Sequence, residues 1–190
     1  MNAPPLSRWH LSEAVRTVRG GGILAYPTEA VYGLGCDPDN AEAVLRLLAI
    51  KQRPLDVGLI LIASDIAQLR PYIGSLESTL LRRIEATWPG PVTWLVPARP
   101  RTPIWLRGRH DSIAVRVTAH PLAAALCTAL GQPLVSTSAN RHGRPPARNA
   151  LQVRRRLGDV IELVISGTTG AQLRPTEIRD ARSGRVVRSA

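Results

Sequence analysis

Apolar positions along this chain recur at two spacings, and the two alternate from one end to the other. Leu11, Val15 and Val18 share one face of a helix over 11–19, which Gly20-Gly21-Gly22 ends. A short apolar run over 23–26, stopped by Pro27, reads as a buried strand. Asn40 caps a helix through residue 50, with Val44, Leu47 and Leu48 on one face. The continuous run 58–63 has the length and pattern of a strand buried inside a sheet. Helical spacing returns over 65–69 and 77–88, where Pro89-Gly90-Pro91 breaks it. Strands follow over 92–96 and 112–117. A helix over 120–130 is opened by Pro121 and closed by Gly131. Residues 134–137 form a strand, 149–157 a helix and 160–165 a strand, with short segments after Pro175. Alternating strands and helices place the chain in the α/β class.

The length, 190 residues, suits one domain with a core of its own. No apolar run approaches the roughly 18 residues of a membrane span. The start, Met1-Asn2-Ala3-Pro4-Pro5, lacks a basic segment leading into an apolar one, so a cytoplasmic location is expected. The loops 97–111 and 141–148 are rich in proline and arginine and are the segments expected to be mobile or to face a ligand.

Charge narrows the partners. The formal net charge is +11, which favours polyanions such as RNA, DNA, nucleotides or an acidic membrane surface. Of the 25 basic residues only Lys51 is a lysine. In a chain that uses arginine everywhere else, one retained ammonium points to work that a planar guanidinium cannot do. Cys36 and Cys127 lie too far apart in sequence for a metal clip and read as packing residues. The four histidines, His10, His110, His120 and His142, have no ligand spacing. A Walker loop, a nucleophile elbow and a zinc-protease motif are all missing. Gly20-x-Gly22-x-x-Ala25 loosely matches a dinucleotide fingerprint but precedes a strand instead of following one.

Three segments carry candidate chemistry. The run Tyr26 to Gly35 sets hydroxyls (Thr28, Tyr32), a carboxylate (Glu29) and two glycines at a strand end, where ligands of α/β sheets gather. A plain Pro/Gly turn with a Thr/Glu cap would look the same. Lys51-Gln-Arg53-Pro puts two cations on one side of extended chain, suited to a polyphosphate or carboxylate, or else merely ends a helix favourably. Ser136-Thr-Ser138-Ala-Asn140 offers hydroxyls and an amide at another strand end; a Ser/Thr-rich turn is the bland alternative.

Taken in order, Pro27-Thr28-Glu29, Lys51-x-Arg53 and Ser138-x-Asn140, with Ala114-Val-Arg-Val117 and Pro175-Thr-Glu-Ile178, resemble the YrdC-like family over about residues 14–188. The chain is similar to the short bacterial class, a catalytic domain alone, and differs from the longer class at Ala30, Val57-Gly58 and Ile62. The resemblance implies a single domain spanning 1–190: a twisted mixed sheet flanked by helices, with a concave basic face. It implies a reaction that joins L-threonine, bicarbonate or CO2 and ATP into threonylcarbamoyl-AMP, pyrophosphate and water. A downstream threonylcarbamoyl-transferase complex then modifies adenosine 37 of tRNAs reading codons that begin with A. Carried over by position, Lys51 and Arg53 would be the catalytic cations. ATP would be held by them together with Ser138, Asn140 and Arg188. Threonine would be held by Thr28, Tyr32, Arg116, Ser136 and Thr176, with Arg116 on its carboxylate. A Mg2+ ion would bridge phosphates without a protein cage, and tRNA would meet the basic face. The competing readings are a non-catalytic RNA-binding factor and a relative acting on carbamoyl phosphate.

Overall fold

The computed structural model describes residues 7–172 and 175–189, so the N-terminal run read for a leader lies outside the described residues. The elements, in chain order, are α1 (Arg8–Arg19), β1 (Leu24–Pro27), β2 (Tyr32–Gly35), α2 (Ala41–Lys51), β3 (Ile60–Ala63), α3 (Ile66–Leu69), α4 (Ser78–Glu85) and β4 (Thr93–Pro97). There follow α5 (Ile104–Arg107), β5 (Ser112–Val117), α6 (Pro121–Leu130), β6 (Leu134–Ser138), α7 (Ala150–Leu157), β7 (Leu163–Val164), β8 (Ile178–Asp180) and β9 (Val186–Arg188). A 3-10 turn over Leu55–Val57 precedes β3. The described strands form one mixed sheet in the order β7-β1-β2-β6-β3-β5-β4-β8-β9. Strand β6 runs antiparallel to both neighbours, β2 and β3, and so joins the two halves of the sheet.

Strand alternation sorts the side chains into two layers. On one face Ala25, Leu34, Leu61, Ile113, Val115 and Trp94 pack with Leu47 of α2, Ile84 of α4 and Val153 of α7. On the other, Leu24, Tyr26, Ile62 and Leu134 pack under α1 and α6 through Val18, Leu126 and Leu130. The same alternation points Ala114 and Arg116 of β5, and Ser136 and Ser138 of β6, to the face that α1 and α6 cover only at one end. The uncovered end is a cavity.

The expected cap at Asn40 holds, and Asp65 and Asn149 add two more. Asn40, Asp65 and Asn149 each accept a hydrogen bond from a backbone N–H in the first turn of α2, α3 and α7. His120 does the same for α6 through its ring. Both cysteines are buried and unpaired, their thiols pushed up to about 12 mainly by burial, in keeping with packing roles.

The differences have local causes. The run read as a strand-to-loop junction contains β2, which pairs antiparallel with β1. Its Tyr-Gly-Leu-Gly sequence lacks strand signals because the glycines are there for space: a Cβ at Gly35 would lie 2.8 Å from the Tyr26 ring and 2.7 Å from the Val135 carbonyl. Helix α4 ends at Glu85, short of Trp88, since the indole N–H of Trp88 donates to the Val92 carbonyl within the following turn. The strand expected over 160–165 is only Leu163–Val164. The loop 97–111 contains the single turn α5, stitched to the 3-10 turn by the Leu59 N–H on the Leu106 carbonyl.

That stitch depends on two glycines with positive φ, Gly58 (73°) and Gly108 (65°). A Cβ on Gly108 would stand 2.2 Å from the Asp56 carbonyl oxygen. Gly108→Ala is therefore expected to destabilise the fold by about 1–3 kcal/mol, read as a lower urea midpoint at unchanged slope. A midpoint equal to wild type would mean the crossing is loose.

Candidate active site

The cavity, about 520 Å3, opens on the sheet face between the β1–β2 turn, β6, β3, β5 and the C-terminal strands. Among the described residues its lining contains four arginines, Arg53, Arg107, Arg116 and Arg188, and no carboxylate. Thr28, Ser136, Ser138 and Thr176 bring hydroxyl side chains to the same lining. Arg107 and His110 come from the loop 97–111 and Pro146 from 141–148, so both loops read as ligand-facing do reach the cavity. The two basic side chains, Arg107 and His110, were not singled out as site residues. Their only signal was the proline- and arginine-rich composition of that loop.

Arg116 is the most buried of the four. Its Nη1 donates to Thr176 Oγ1 at 2.8 Å and to Thr93 Oγ1 at 3.2 Å, and its Nη2 lies 3.3 Å from Glu29 Oε2. Its Nε is buried without a hydrogen-bond partner among the described residues. Glu29 in turn accepts from Thr118 Oγ1 at 2.6 Å and from the Ala119 N–H at 3.2 Å through its other oxygen. Burial by itself would raise the Glu29 pKa, but the Arg116 charge and the Thr118 hydroxyl outweigh it, and the carboxyl lies below its ordinary value.

The other cavity arginines are held by neutral carbonyls. Arg53 donates through Nε and Nη2 to the Gly58 carbonyl, and Arg188 through Nη2 to the Thr176 carbonyl. Burial lowers the pKa of both, and at Arg188 the charges of Arg116 and Arg53 add to it. Three mutually repelling guanidiniums around one cavity are an anion site.

Lys51 and Asn140, expected at the ligand, are bonded to each other and to Ser138. Lys51 is the last residue of α2 and Gln52 is left-handed (φ 51°), so Lys51 and Arg53 do not alternate along extended chain. The Lys51 ammonium sits beneath the Ser138–Asn140 turn. It donates to the Ser138 carbonyl, to the Asn140 carbonyl at 2.8 Å and to Asn140 Oδ1 at 3.0 Å. Lys51 and Asn140 are not part of the cavity lining, whereas Arg53 and Ser138 are. Asn140 spends its amide hydrogens on the carbonyls of Arg141 (3.0 Å) and Arg144 (2.7 Å), fixing the 141–148 loop. Tyr32 lines the cavity, but its hydroxyl is committed to Gly167, donating to that carbonyl at 2.7 Å. Thr28 donates to the Val31 carbonyl and shapes the turn. The motif residues are thus brought together: Lys51 Nζ lies 3.3 Å from Ser138 Oγ, and Ser138 Oγ donates to Asn140 Oδ1 at 2.6 Å, while Arg53 and Ser138 both line the cavity.

The family model Sua5_yciO_yrdC, described as "Telomere recombination", matches residues 16–190. A threonylcarbamoyl-AMP synthase of Nitrosococcus oceani is 56% identical over 180 residues, covering 95% of this chain and 97% of that one. Among solved structures, P. abyssi Sua5 complexed with L-threonine superposes with a TM-score of 0.88 at 30% identity, over 93% of this chain and 52% of that one. The chain thus spans about half of that archaeal protein. E. coli YciO superposes with a TM-score of 0.83 at 28% identity, over 95% of this chain and 87% of that one.

The Lys51 clasp has a pH signature. Burial, and then the Arg53 charge, lower its pKa from 10.5 to about 8. Between those two values the unfolded chain holds the proton that the folded one has released, so stability rises with pH across that window. Lys51→Met should flatten this rise in urea midpoints measured from pH 7.5 to 10.5. An unchanged slope would mean that Lys51 titrates as it does in the unfolded chain.

Proposed function

The chain belongs to the Sua5/YciO/YrdC family, and from that membership and the cavity we propose that it joins L-threonine, bicarbonate or CO2 and ATP into threonylcarbamoyl-AMP, releasing pyrophosphate and water. The enzyme is a nucleotidyltransferase carrying out the first step of the threonylcarbamoyladenosine modification at position 37 of tRNA. The observation that carries this reading is the division of one cavity into a paired arginine among hydroxyls and unpaired arginines beside the Ser138 turn.

The amino-acid end is built on Arg116. The threonine carboxylate meets its guanidinium, with Ser136 and Thr176 beside it. The amine, once carbamylated, presents an oxygen to the α-phosphate. Negative charge grows on the phosphoryl oxygens and the departing pyrophosphate, and Arg53, Arg188 and Ser138 are placed to receive it. None of these steps needs a protein nucleophile. Positioning and fixed positive charge supply the acceleration. Lys51 and Asn140 act through the wall they hold, not as ligands. A Mg2+ ion fits this site only on the phosphates of ATP and water, because the described lining offers hydroxyls and cations and no carboxylate.

Outside the cavity mouth, Arg141, Arg144, Arg148 and Arg155 are exposed, and the described run 138–158 contains no acidic residue. This is the face we propose for tRNA, and the transferase complex that consumes the unstable product would dock near it. ATP, threonine and tRNA meet in the cytosol, where this reading puts the protein; no described helix is long and apolar enough to cross a membrane.

Purified protein with ATP, Mg2+, L-threonine and bicarbonate should release pyrophosphate, and omission of threonine or bicarbonate should abolish the release. Threonine-independent release would reject the reaction. Arg116→Lys should raise KM for threonine far more than KM for ATP, by roughly 10- to 100-fold, through loss of a forked, charged hydrogen-bond pair. Equal effects on the two constants would move Arg116 to the nucleotide. A filter-binding titration with tRNA should show affinity falling steeply with salt, and Arg144→Gln with Arg155→Gln should flatten that slope by about two phosphate contacts. A slope unaffected by both changes would place tRNA elsewhere.

A further inference from the structure

Glu29 is paired with a cavity arginine, yet it does not itself line the cavity. Of the four arginines that do, Arg116 alone has an acidic partner among the described residues; Arg53, Arg107 and Arg188 donate to backbone carbonyls. Both side chains of the pair are buried, Arg116 at 5% and Glu29 at 9% exposure, so their charges are weakly screened by water. The cavity therefore holds one arginine with a buried carboxylate at its back, Arg116, and three without.

We infer that Glu29 is a specificity-determining residue: by neutralising Arg116 from behind, it reserves that end of the cavity for a zwitterion and excludes polyphosphate from it. This rests on the proposed reaction, in which the same cavity must take a neutral amino acid and a highly charged nucleotide. An α-amino acid carries one negative and one positive charge and gains little from a bare guanidinium in preference to a paired one. A multiply charged anion gains in proportion to the net charge it meets. With four arginines around one cavity and no compensation, phosphate groups would occupy both ends. The Thr118 hydroxyl and the Ala119 N–H occupy the other carboxylate oxygen and hold Glu29 in place, so it remains ionised and fixed against β5. Thr176, which accepts from Arg116 through its hydroxyl and from Arg188 through its carbonyl, marks the boundary between the two ends.

The test is steady-state pyrophosphate release with sulfate as the probe, on wild type, Glu29→Gln and Glu29→Asp, each checked by thermal melt. In wild type, sulfate should compete with ATP and barely with threonine. In Glu29→Gln, sulfate should become competitive with threonine, its inhibition constant against threonine falling about tenfold and KM for threonine rising about tenfold at fixed sulfate. KM for ATP should stay within about twofold of wild type, since the cationic end is unaltered. Glu29→Asp keeps the charge and should restore most of the wild-type pattern, which a purely structural role would not do. The inference is overturned if sulfate inhibits Glu29→Gln as it does wild type, or if the two Michaelis constants rise together. Should Glu29→Gln fail to fold, wild type still decides: sulfate that competes equally with threonine and ATP overturns it. Wild-type turnover that ignores threonine would instead overturn the proposed reaction itself.

Discussion

A guanidinium buried in the middle of a sheet must be paired, and Glu29 is what pairs Arg116. Breaking such a pair typically costs about 3–5 kcal/mol because the survivor is left as an isolated buried charge. The pair also sets geometry. Glu29 lies in the turn between β1 and β2, and Arg116 in β5, on opposite sides of β6 and β3 in the strand order. The ion pair, with the Thr118 hydroxyl and the Ala119 N–H on the same carboxylate, ties this turn to the far side of the sheet. The backbone of the turn is held in addition by Gly170, whose N–H donates to the Thr28 carbonyl. The mouth of the cavity is thus defined by contacts that span long stretches of chain.

The second organising contact is the Lys51 clasp. One ammonium gathers two carbonyls and two side-chain oxygens of a single turn, which the wider, planar guanidinium of arginine does not fit. This gives a physical reason for a lone lysine in an arginine-rich chain. It also explains why Asn140 belongs with it: the amide carbonyl receives the ammonium while the amide hydrogens secure the 141–148 loop. Together they fix the wall from which Ser138 faces the cavity.

Much of this was legible in sequence, and the rest fails for identifiable reasons. Strand β5 could be placed from Ile113, Val115 and Val117 alternating with Ser112, Ala114 and Arg116, and its bounds agree with the structure. The helix cap at Asn40 was readable because capping is local. Strand β2 was not, since the demands on its glycines come from Tyr26 and Val135, contacts made only once the sheet forms. The family motifs Lys51-x-Arg53 and Ser138-x-Asn140 gave no sign of how the side chains of Lys51, Ser138 and Asn140 bond to one another. Whether a cation faces a ligand or the back of a wall depends on the left-handed turn at Gln52, which no spacing rule anticipates. Arg107 and His110 illustrate the converse, since a loop flagged only by composition supplies two basic side chains to the lining.

One cavity lining thus combines a compensated arginine, Arg116, with uncompensated ones. The most direct check is a crystal structure with L-threonine and a non-hydrolysable ATP analogue bound together. The account predicts the threonine carboxylate within hydrogen-bond distance of Arg116, with Glu29 still at its back. It also predicts the phosphates against Arg53, Arg188 and Ser138, with Lys51 still beneath its turn. Phosphate oxygens seated on Arg116, or Lys51 released from the turn to meet them, would contradict it.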